Sequence, residues 1–322
     1  MTLSEMASFV CGKVRMSDTD SVAQCKAYLA RRYELVWADA LWKDALFFFD
    51  FTFTPNDVNV PSSWDGIYMM PNVVDRVVAL RRSGSEIQVD GAEKFFQGDV
   101  DQFVQTGDPV IYVPMAPCVA VLPFLYTDHY VTINSALGDA GAAFSVTYID
   151  GTGARTTVSG QLNGNVNLIN TDVRVIERAS KAVTVSSGVN LYGNVNEVVL
   201  SSAAASDTSF PRRLPIRLSP TPTAAVALRA LVKKKVIPLS NDGDTPELRG
   251  CENLLLSMAQ ADMYEHGRQL GKANGKFQEA GLLLRQLKEQ HAWHDQTSVR
   301  LVPEVDEPAG SVGTTIVGKS YW

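Results

Sequence analysis

The sequence predicts an α+β fold: a helical body with long N- and C-terminal helices and a small antiparallel β-sheet, carrying an inserted β-sandwich. An amphipathic helical segment runs directly into a strand near the N-terminus, short alternating strands fill the middle, and helical spacing returns near the C-terminus. The predicted parts are an N-terminal arm (1–19), an α/β body (20–118 and 213–292), an immunoglobulin-like β-sandwich (119–212) and an extended C-terminal arm (293–322).

The first predicted helix covers about residues 20–46. Asp18 or Asp20 is a suitable N-cap, and apolar residues from Val22 to Ala40 recur at steps of three and four. Trp37 and Trp42 are five positions apart, so they do not share a helix face. We expect one to pack inward and the other to meet a neighbouring subunit, which makes both candidate partner-binding residues.

The period changes to two in "LFFFDFTFTP", residues 46–55. Phenylalanine occupies every second position, at Phe47, Phe49, Phe51 and Phe53. This alternation predicts a half-buried strand with an aromatic inner face. A second interpretation stays open, in which the strand also faces another subunit.

A hairpin and a sandwich follow. The segments 73–82 and 86–90 flank "SGS" and predict a hairpin, while 109–115 is a short strand bounded by prolines. Residues 117–210 are rich in Ser, Thr, Val, Asn and Gly, and their short alternating segments predict a β-sandwich. "DGTGA" (150–154) is typical of a hairpin turn.

The body resumes with an alternating strand, Val226 to Val232, followed by the loop "SNDGD". Thr245 is the predicted cap of a helical pattern that runs from about 246 to 291 and bends or splits near Gly267 to Gly275. The remaining tail contains prolines and glycines, together with "TTIVG" (314–318).

Composition narrows the class of protein. The chain has 322 residues, a net charge of −6 and a pI of about 5.3. Basic residues cluster only in short groups such as Arg81-Arg82, Arg212-Arg213 and Lys233-Lys234-Lys235, which are typical of solvated edges and caps. The four cysteines are far apart and predict reduced thiols. The start predicts no signal peptide, and no window reaches the length of an apolar membrane span.

The sequence contains only weak candidates for catalytic groups. His291 and His294 have a spacing that suits a metal, but also a helix C-terminus, where imidazolium meets the dipole. "NDGDTPE" (241–247) lacks the ligand spacing of a calcium loop, and "DGTGARTTVSG" lacks the order of a phosphate loop. His129 has no recognisable nucleophile beside it. We therefore predict that the protein is not an enzyme and has no cofactor and no metal site.

The order of elements resembles one family. Four stretches carry this resemblance, and they are "LARRYELVWADALWKDALFFFDF", "YMMPNVVDRVVALRR", "FSVTYIDGTGARTTVSGQLNG" with "VRVIERASKAV", and "IRLSPTPTAAVALRALVKKKVIPLSNDGDTPELRGCENLLLSMAQADMYE". They are similar to successive parts of the head-to-tail connector proteins of tailed bacteriophages (adaptor, or tail tubular protein A-like). The likeness covers roughly residues 20–295.

The resemblance implies a structural virion protein that forms a ring of about twelve copies, a closed heterologous assembly. Such a ring joins the portal protein to the tail tube, nozzle or other neck proteins, and genomic DNA passes through it without specific binding. An acidic chain suits this role, because Lys and Arg contacts to phosphates would hold the DNA. The expected location is the virion neck, after assembly in the host bacterial cytoplasm.

The C-terminal arm is the predicted portal-binding element. "TTIVG" has strand character, and Val312, Ile316, Tyr321 and Trp322 are candidate partner-binding residues. Two rival functions stay open. One is a baseplate or minor tail protein whose sandwich binds a glycan or receptor, and the other is a metal-dependent hydrolase that uses His291 and His294.

Overall fold

The computed structural model describes most of the chain, in ranges that are separated by short gaps. The described residues are 1–57, 63, 65–89, 106–122, 130–135, 141–162, 167–170, 172–182, 185, 188–193 and 198–292. They divide into two compact units. The first, the helical unit, is Met1–Lys43 with Leu239–Trp322, of which the described part ends at 292, and the second, the β unit, is Asp44–Pro238.

The helical unit contains four helices among its described residues. They are α1 (Leu3–Val14), α2 (Thr19–Asp39), α3 (Glu252–His266) and α4 (Leu270–His291). Helix α1 packs against α2 and α3, and α3 packs against α4. No helix within the described ranges is both long enough and apolar enough to cross a lipid bilayer.

The predicted N-terminal arm is a helix instead. Thr2 caps α1 and forms a capping box with Glu5, in which each side chain binds the other residue's backbone N–H. The apolar residues at positions 3, 6, 7, 10, 11 and 14 of α1 are buried. The prediction of a loose arm missed this helix because it disregarded both the Thr-x-x-Glu signature and the helical spacing behind it.

Helix α2 ends at Asp39, seven residues before the predicted end. Asp18 is the N-cap, as one of the two predicted candidates. At the other end Ala40 adopts an extended conformation, and the indole N–H of Trp42 donates to the carbonyl oxygen of Val36 over 2.7 Å. This bond satisfies one of the carbonyls that a helix end leaves without an intrahelical partner.

The C-terminal helical pattern begins later than predicted and is split. The N-cap of helix α3 is Cys251, not Thr245, and the helical conformation is interrupted between α3 and α4. Arg268 has φ 57° at the break. Helix α3 ends at His266 and α4 begins at Leu270, so the interruption includes Gly267. The predicted interruption near Gly267 is thereby confirmed.

The largest sheet of the β unit has seven strands in the order β1-β15-β3-β4-β5-β14-β2. Its neighbours are antiparallel except for the parallel pair β4–β5. The strand bounds are β1 Leu46–Phe53, β2 Ile67–Met69, β3 Val74–Arg82, β4 Ser85–Val89, β5 Ile111–Pro114, β14 Pro215–Ser219 and β15 Val226–Lys234. The predicted hairpin is β3–β4, with Ser83 and Gly84 at positive φ in its turn.

Two four-stranded sheets occupy the middle of the β unit, in the orders β10-β7-β12-β13 and β6-β11-β8-β9. Their strands are β6 Ala120–Val121, β7 Tyr130–Asn134, β8 Ala143–Asp150, β9 Arg155–Gln161, β10 Asn167–Asn170, β11 Val173–Lys181, β12 Val189–Gly193 and β13 Val198–Ala203. One hydrophobic cluster joins both, with Val131 and Leu191 from the first and Val146 and Ile176 from the second. Both sheets lie inside the predicted range 119–212. The proposed independence of that range as a domain stays a prediction.

The predicted fold class is wrong. The part of the chain that the structure describes has more strand than helix, 38% against 31%, in three sheets and four helices, and it is not a long-helix body with a small sheet. Helical periodicity is a strong local signal, whereas the pairing of strands that are distant in sequence leaves no local trace. Segments interpreted as separate short strands therefore assemble into one seven-stranded sheet, which includes a parallel pair.

Candidate functional site

The candidate site is the edge and the exposed face of the seven-stranded sheet along β1. Phe53 and Phe51 are buried, Phe49 and Phe47 are half-buried, and Phe48 is 74% exposed. The Phe51 ring stacks on Phe49 at 5.4 Å and on Tyr68 at 4.1 Å between centroids. The predicted aromatic inner face is confirmed, since the side chains of successive strand residues point to opposite faces.

Charged side chains form a row across the exposed face. Asp50 on β1 is opposite Arg229 on β15, Arg229 is opposite Arg81 on β3, and Arg81 is opposite Glu86 on β4. Arg229 donates to both carboxylate oxygens of Asp50, over 2.6 and 2.8 Å. This hydrogen-bonded pairing lowers the pKa of the Asp50 carboxyl and raises the pKa of Arg229.

An apolar row lies beside the charged row. Phe48 is paired in register with Leu231 of β15, which is opposite Ala79 of β3. A shallow depression of about 720 Å³ opens on the other side of the charged row and is lined in part by Thr52, Ser83 and Ala227. A face on which an exposed aromatic residue adjoins charged residues suits contact with a protein surface.

The strand β1 is one of the two edges of this sheet, and the other edge is β2. Among the described residues β1 is paired on one side only, with β15. The alternation of phenylalanine in the sequence predicted this strand. Arg81 was noted in the sequence only as part of a basic cluster, and its proximity to Phe48 and Arg229 was not predicted, because it depends on the pairing of strands that are far apart in sequence.

The structure places both candidate tryptophans in the interior of the helical unit. Trp37 is 2% exposed and packs edge-on against Tyr33 at 6.0 Å, and Trp42 is 0% exposed. Trp42 also forms an isolated antiparallel bridge with Ala292. The expectation that one of them meets a neighbouring subunit is not supported by these positions, because neither side chain reaches the surface.

The other candidate partner-binding residues, Val312, Ile316, Tyr321 and Trp322, lie outside the described residues. The same holds for His129 and His294. His291 is the last residue of α4. Within the described ranges no three His, Cys, Asp or Glu side chains are grouped closely enough to hold a metal ion.

The acidic turn after Pro238 has a structural role in the helical unit. The carbonyl oxygens of Asp244 and Asp242 accept from the N–H groups of Leu3 and Ser4 in the first turn of α1. The Asp244 carboxylate itself accepts from the backbone N–H groups of Asn241 and Ser240 over 2.7 and 2.8 Å. These backbone bonds lower the pKa of Asp244. The turn therefore supplies acceptors to N–H groups that a helix start leaves without partners.

Replacing Asp244 with alanine is expected to lower the melting temperature at neutral pH by about 2–4 °C. The pKa of the carboxyl is lowered on folding, so its contribution is present above its ordinary value of 3.8 and is lost as the pH falls through the folded-state pKa. Calorimetric melts of both proteins at a series of pH values test this. The difference in melting temperature should shrink on acidification, and a constant difference would exclude the role of the charge.

Three residues of the basic clusters in the β unit bind backbone carbonyls. Arg212 donates to the carbonyl oxygen of Pro117, and Lys235 donates to the carbonyl oxygen of Arg212 over 2.6 Å. Arg213 donates to the carbonyl oxygen of Leu200 over 2.8 Å, and its burial lowers its pKa. The prediction that the clusters are solvated is wrong for Lys233, which is 5% exposed, and for Arg213, which is half-buried.

The cysteines are free and buried, at Cys11, Cys25, Cys118 and Cys251. Burial raises the pKa of Cys25, and it raises the pKa of Cys118 to about 11. Since the thiolate is the nucleophilic form, these thiols are poorly reactive in the folded protein.

No protein-family model and no curated protein matches the chain. Solved structures with a weak likeness include exo-inulinase from Aspergillus awamori (8% identity, TM-score 0.09, covering 41% of this chain and 30% of that chain). They also include infectious bursal disease virus of the Gx strain (9%, 0.11, 59% and 37%) and its T13 viral particle (9%, 0.11, 76% and 53%). The chain thus spans about a third to a half of these structures. The TM-scores are far below those of a shared fold, so the likenesses carry no argument.

Proposed function

We propose that the protein is a structural subunit of a tailed-bacteriophage virion and that a ring of its copies joins the portal to the tail. The observation that carries the proposal is the surface along β1, where a long sheet edge adjoins an exposed aromatic residue and a row of paired charges. The resemblance of the sequence to head-to-tail connectors supplies the biological setting.

The surface suits a subunit with neighbours. A ring of copies needs two different faces on each subunit, because every copy contacts the next in a head-to-tail manner. The β1 surface offers one such face, and Phe48 is a suitable anchor on it, since aromatic residues carry much of the binding energy of protein interfaces. The net charge of −6 favours free passage of DNA over tight binding.

The rival function, a glycan- or receptor-binding sandwich, would gain support from exposed aromatic rings on the two smaller sheets. Among the described residues of those sheets, Tyr148 is buried and Tyr192 is half-buried. We therefore propose the connector role in preference to a baseplate or minor tail protein.

The test is assembly with the portal and tail partners, observed by electron microscopy. We expect rings of about twelve copies seated on the portal, as for a closed heterologous assembly. Phe48→Asp should reduce ring formation, while the control Val199→Asp, which places the same charge at an exposed valine of β13, should not. If the wild-type chain stays monomeric with portal and tail proteins present, the connector role fails.

A further inference from the structure

The two edges of the seven-stranded sheet differ in how well they are protected. The β2 edge has three residues, whereas the β1 edge has eight. Proteins protect long edges with bulges, prolines or charges, because an open edge pairs with other chains. Strand β1 contains no proline and pairs with β15 in an unbroken register, without a bulge. Its one charged residue, Asp50, is bound by Arg229 on the sheet face. Among the described residues the β1 edge therefore has no bulge and no proline, and its one charge is neutralised on the sheet face.

The inner face of β1 is also incompletely covered. Phe51 and Phe53 are 8% and 1% exposed, but Phe47 and Phe49 are only half-buried although they pack against the same hydrophobic cluster. A further strand beside β1 would place alternate side chains next to these two rings. Covering them would remove apolar surface from water, in addition to the hydrogen bonds of the new strand pair.

The C-terminal tail contains a segment of suitable chemistry. Residues 293–322 are 30 residues, and within them 308–318 carry no charge. Val312, Thr314 and Ile316 alternate with Gly313, Thr315 and Val317. The 19 residues from 293 to 311 can span up to about 60 Å when extended, so they can carry the following segment far from the end of the last helix.

We propose that residues 312–318 of a second copy, a segment that was predicted from the sequence to bind the portal, add as an eighth strand to the edge of β1 that is unpaired among the described residues. Each copy then donates one tail strand and accepts one, so a closed ring leaves no donor and no acceptor unused. The inference rests on the proposed function in assuming a ring of copies, and it names the contact that links them.

The test uses full-length chains with single introduced cysteines. Thr52→Cys places a thiol on the exposed face of β1, and cysteine is placed at positions 314, 315, 316 and 317 in turn on the other chain. The native cysteines are buried and do not compete. After mixing and mild oxidation, disulfide-linked dimers are expected at every second tail position, because alternate residues of a strand face the same side.

Two controls make the result specific. Ser85→Cys lies on β4, three strands away from the β1 edge and so about 14 Å from it, beyond the reach of a disulfide. It should give no cross-links. Adding Ile316→Pro to the best-reacting tail variant should reduce the yield at least about tenfold, because proline fits poorly into a paired strand. If Ile316 is itself the best position, Val317→Pro serves instead.

Three outcomes would overturn the inference. The first is that no cross-links form, and the second is that the cross-link yield does not alternate between successive tail positions. The third is that a chain carrying both Thr52→Cys and the tail cysteine forms the disulfide only within itself and not with a second copy. The proposed function is judged separately by microscopy. Rings on the portal without cross-links would support the connector role and exclude this contact. Cross-links without portal-bound rings would support this contact and exclude the connector role.

Discussion

Replacing Phe53 with alanine is expected to lower the free energy of unfolding of the β unit by about 3–5 kcal/mol. Phe53 is 1% exposed and belongs to the cluster that fills the inner face of the seven-stranded sheet. The substitution removes buried apolar surface and leaves a cavity that the surrounding strands fill only in part. Urea unfolding followed by hydrogen exchange in β1 and β15 measures the loss in this unit, because a chain of two units need not unfold in a single step.

The matched control is Phe48→Ala on the same strand. Phe48 is 74% exposed, so its replacement should change the unfolding free energy by no more than about 0.5 kcal/mol. A reversed order of the two effects would mean that β1 pairs one residue out of register, since such a slip exchanges its two faces. Under the proposed function Phe48→Ala should instead weaken assembly, which distinguishes the exposed Phe48 side chain from the buried Phe53 side chain.

The faces of β1 could be predicted from sequence because they follow from local alternation. Phe47, Phe49, Phe51 and Phe53 occupy every second position, and they are the residues that pack inward. Their neighbours across the sheet could not be predicted. Asp50 and Arg229 are 179 residues apart, and the pairing of their strands depends on the whole topology of the sheet.

The helical unit shows a different limit. The helix Leu3–Val14 was predictable in principle, because Thr2 and Glu5 form a recognisable capping box before an apolar pattern. Trp42 illustrates what local pattern does not contain. Ala40 leaves the helix in an extended conformation, and Trp42 then turns back so that its indole N–H donates to Val36 in the last turn.

The buried ion pair between α2 and α3 should be the most sensitive polar contact of the helical unit. Arg32 donates to both carboxylate oxygens of Asp262, over 2.8 and 2.5 Å, and the guanidinium also lies 5.4 Å from the Phe277 ring centroid. The Asp262 side chain is 9% exposed and that of Arg32 is 28% exposed. The hydrogen bond to Asp262 raises the pKa of Arg32, so the guanidinium stays charged at neutral pH.

Replacing Arg32 with methionine is expected to lower the free energy of unfolding of the helical unit by about 3 kcal/mol, because it leaves the buried carboxylate without its partner. The double variant Arg32→Met/Asp262→Leu should recover more than half of that loss, since two apolar side chains need no compensation for a buried charge. Arg285→Met is the control. It breaks the exposed pair with Glu289, where both side chains are more than half exposed, and should change the stability by no more than about 0.5 kcal/mol. Urea unfolding monitored by far-ultraviolet circular dichroism and tryptophan fluorescence measures all three variants. A double variant no more stable than Arg32→Met would show that the loss comes from the packing of the arginine side chain and not from the unpaired charge.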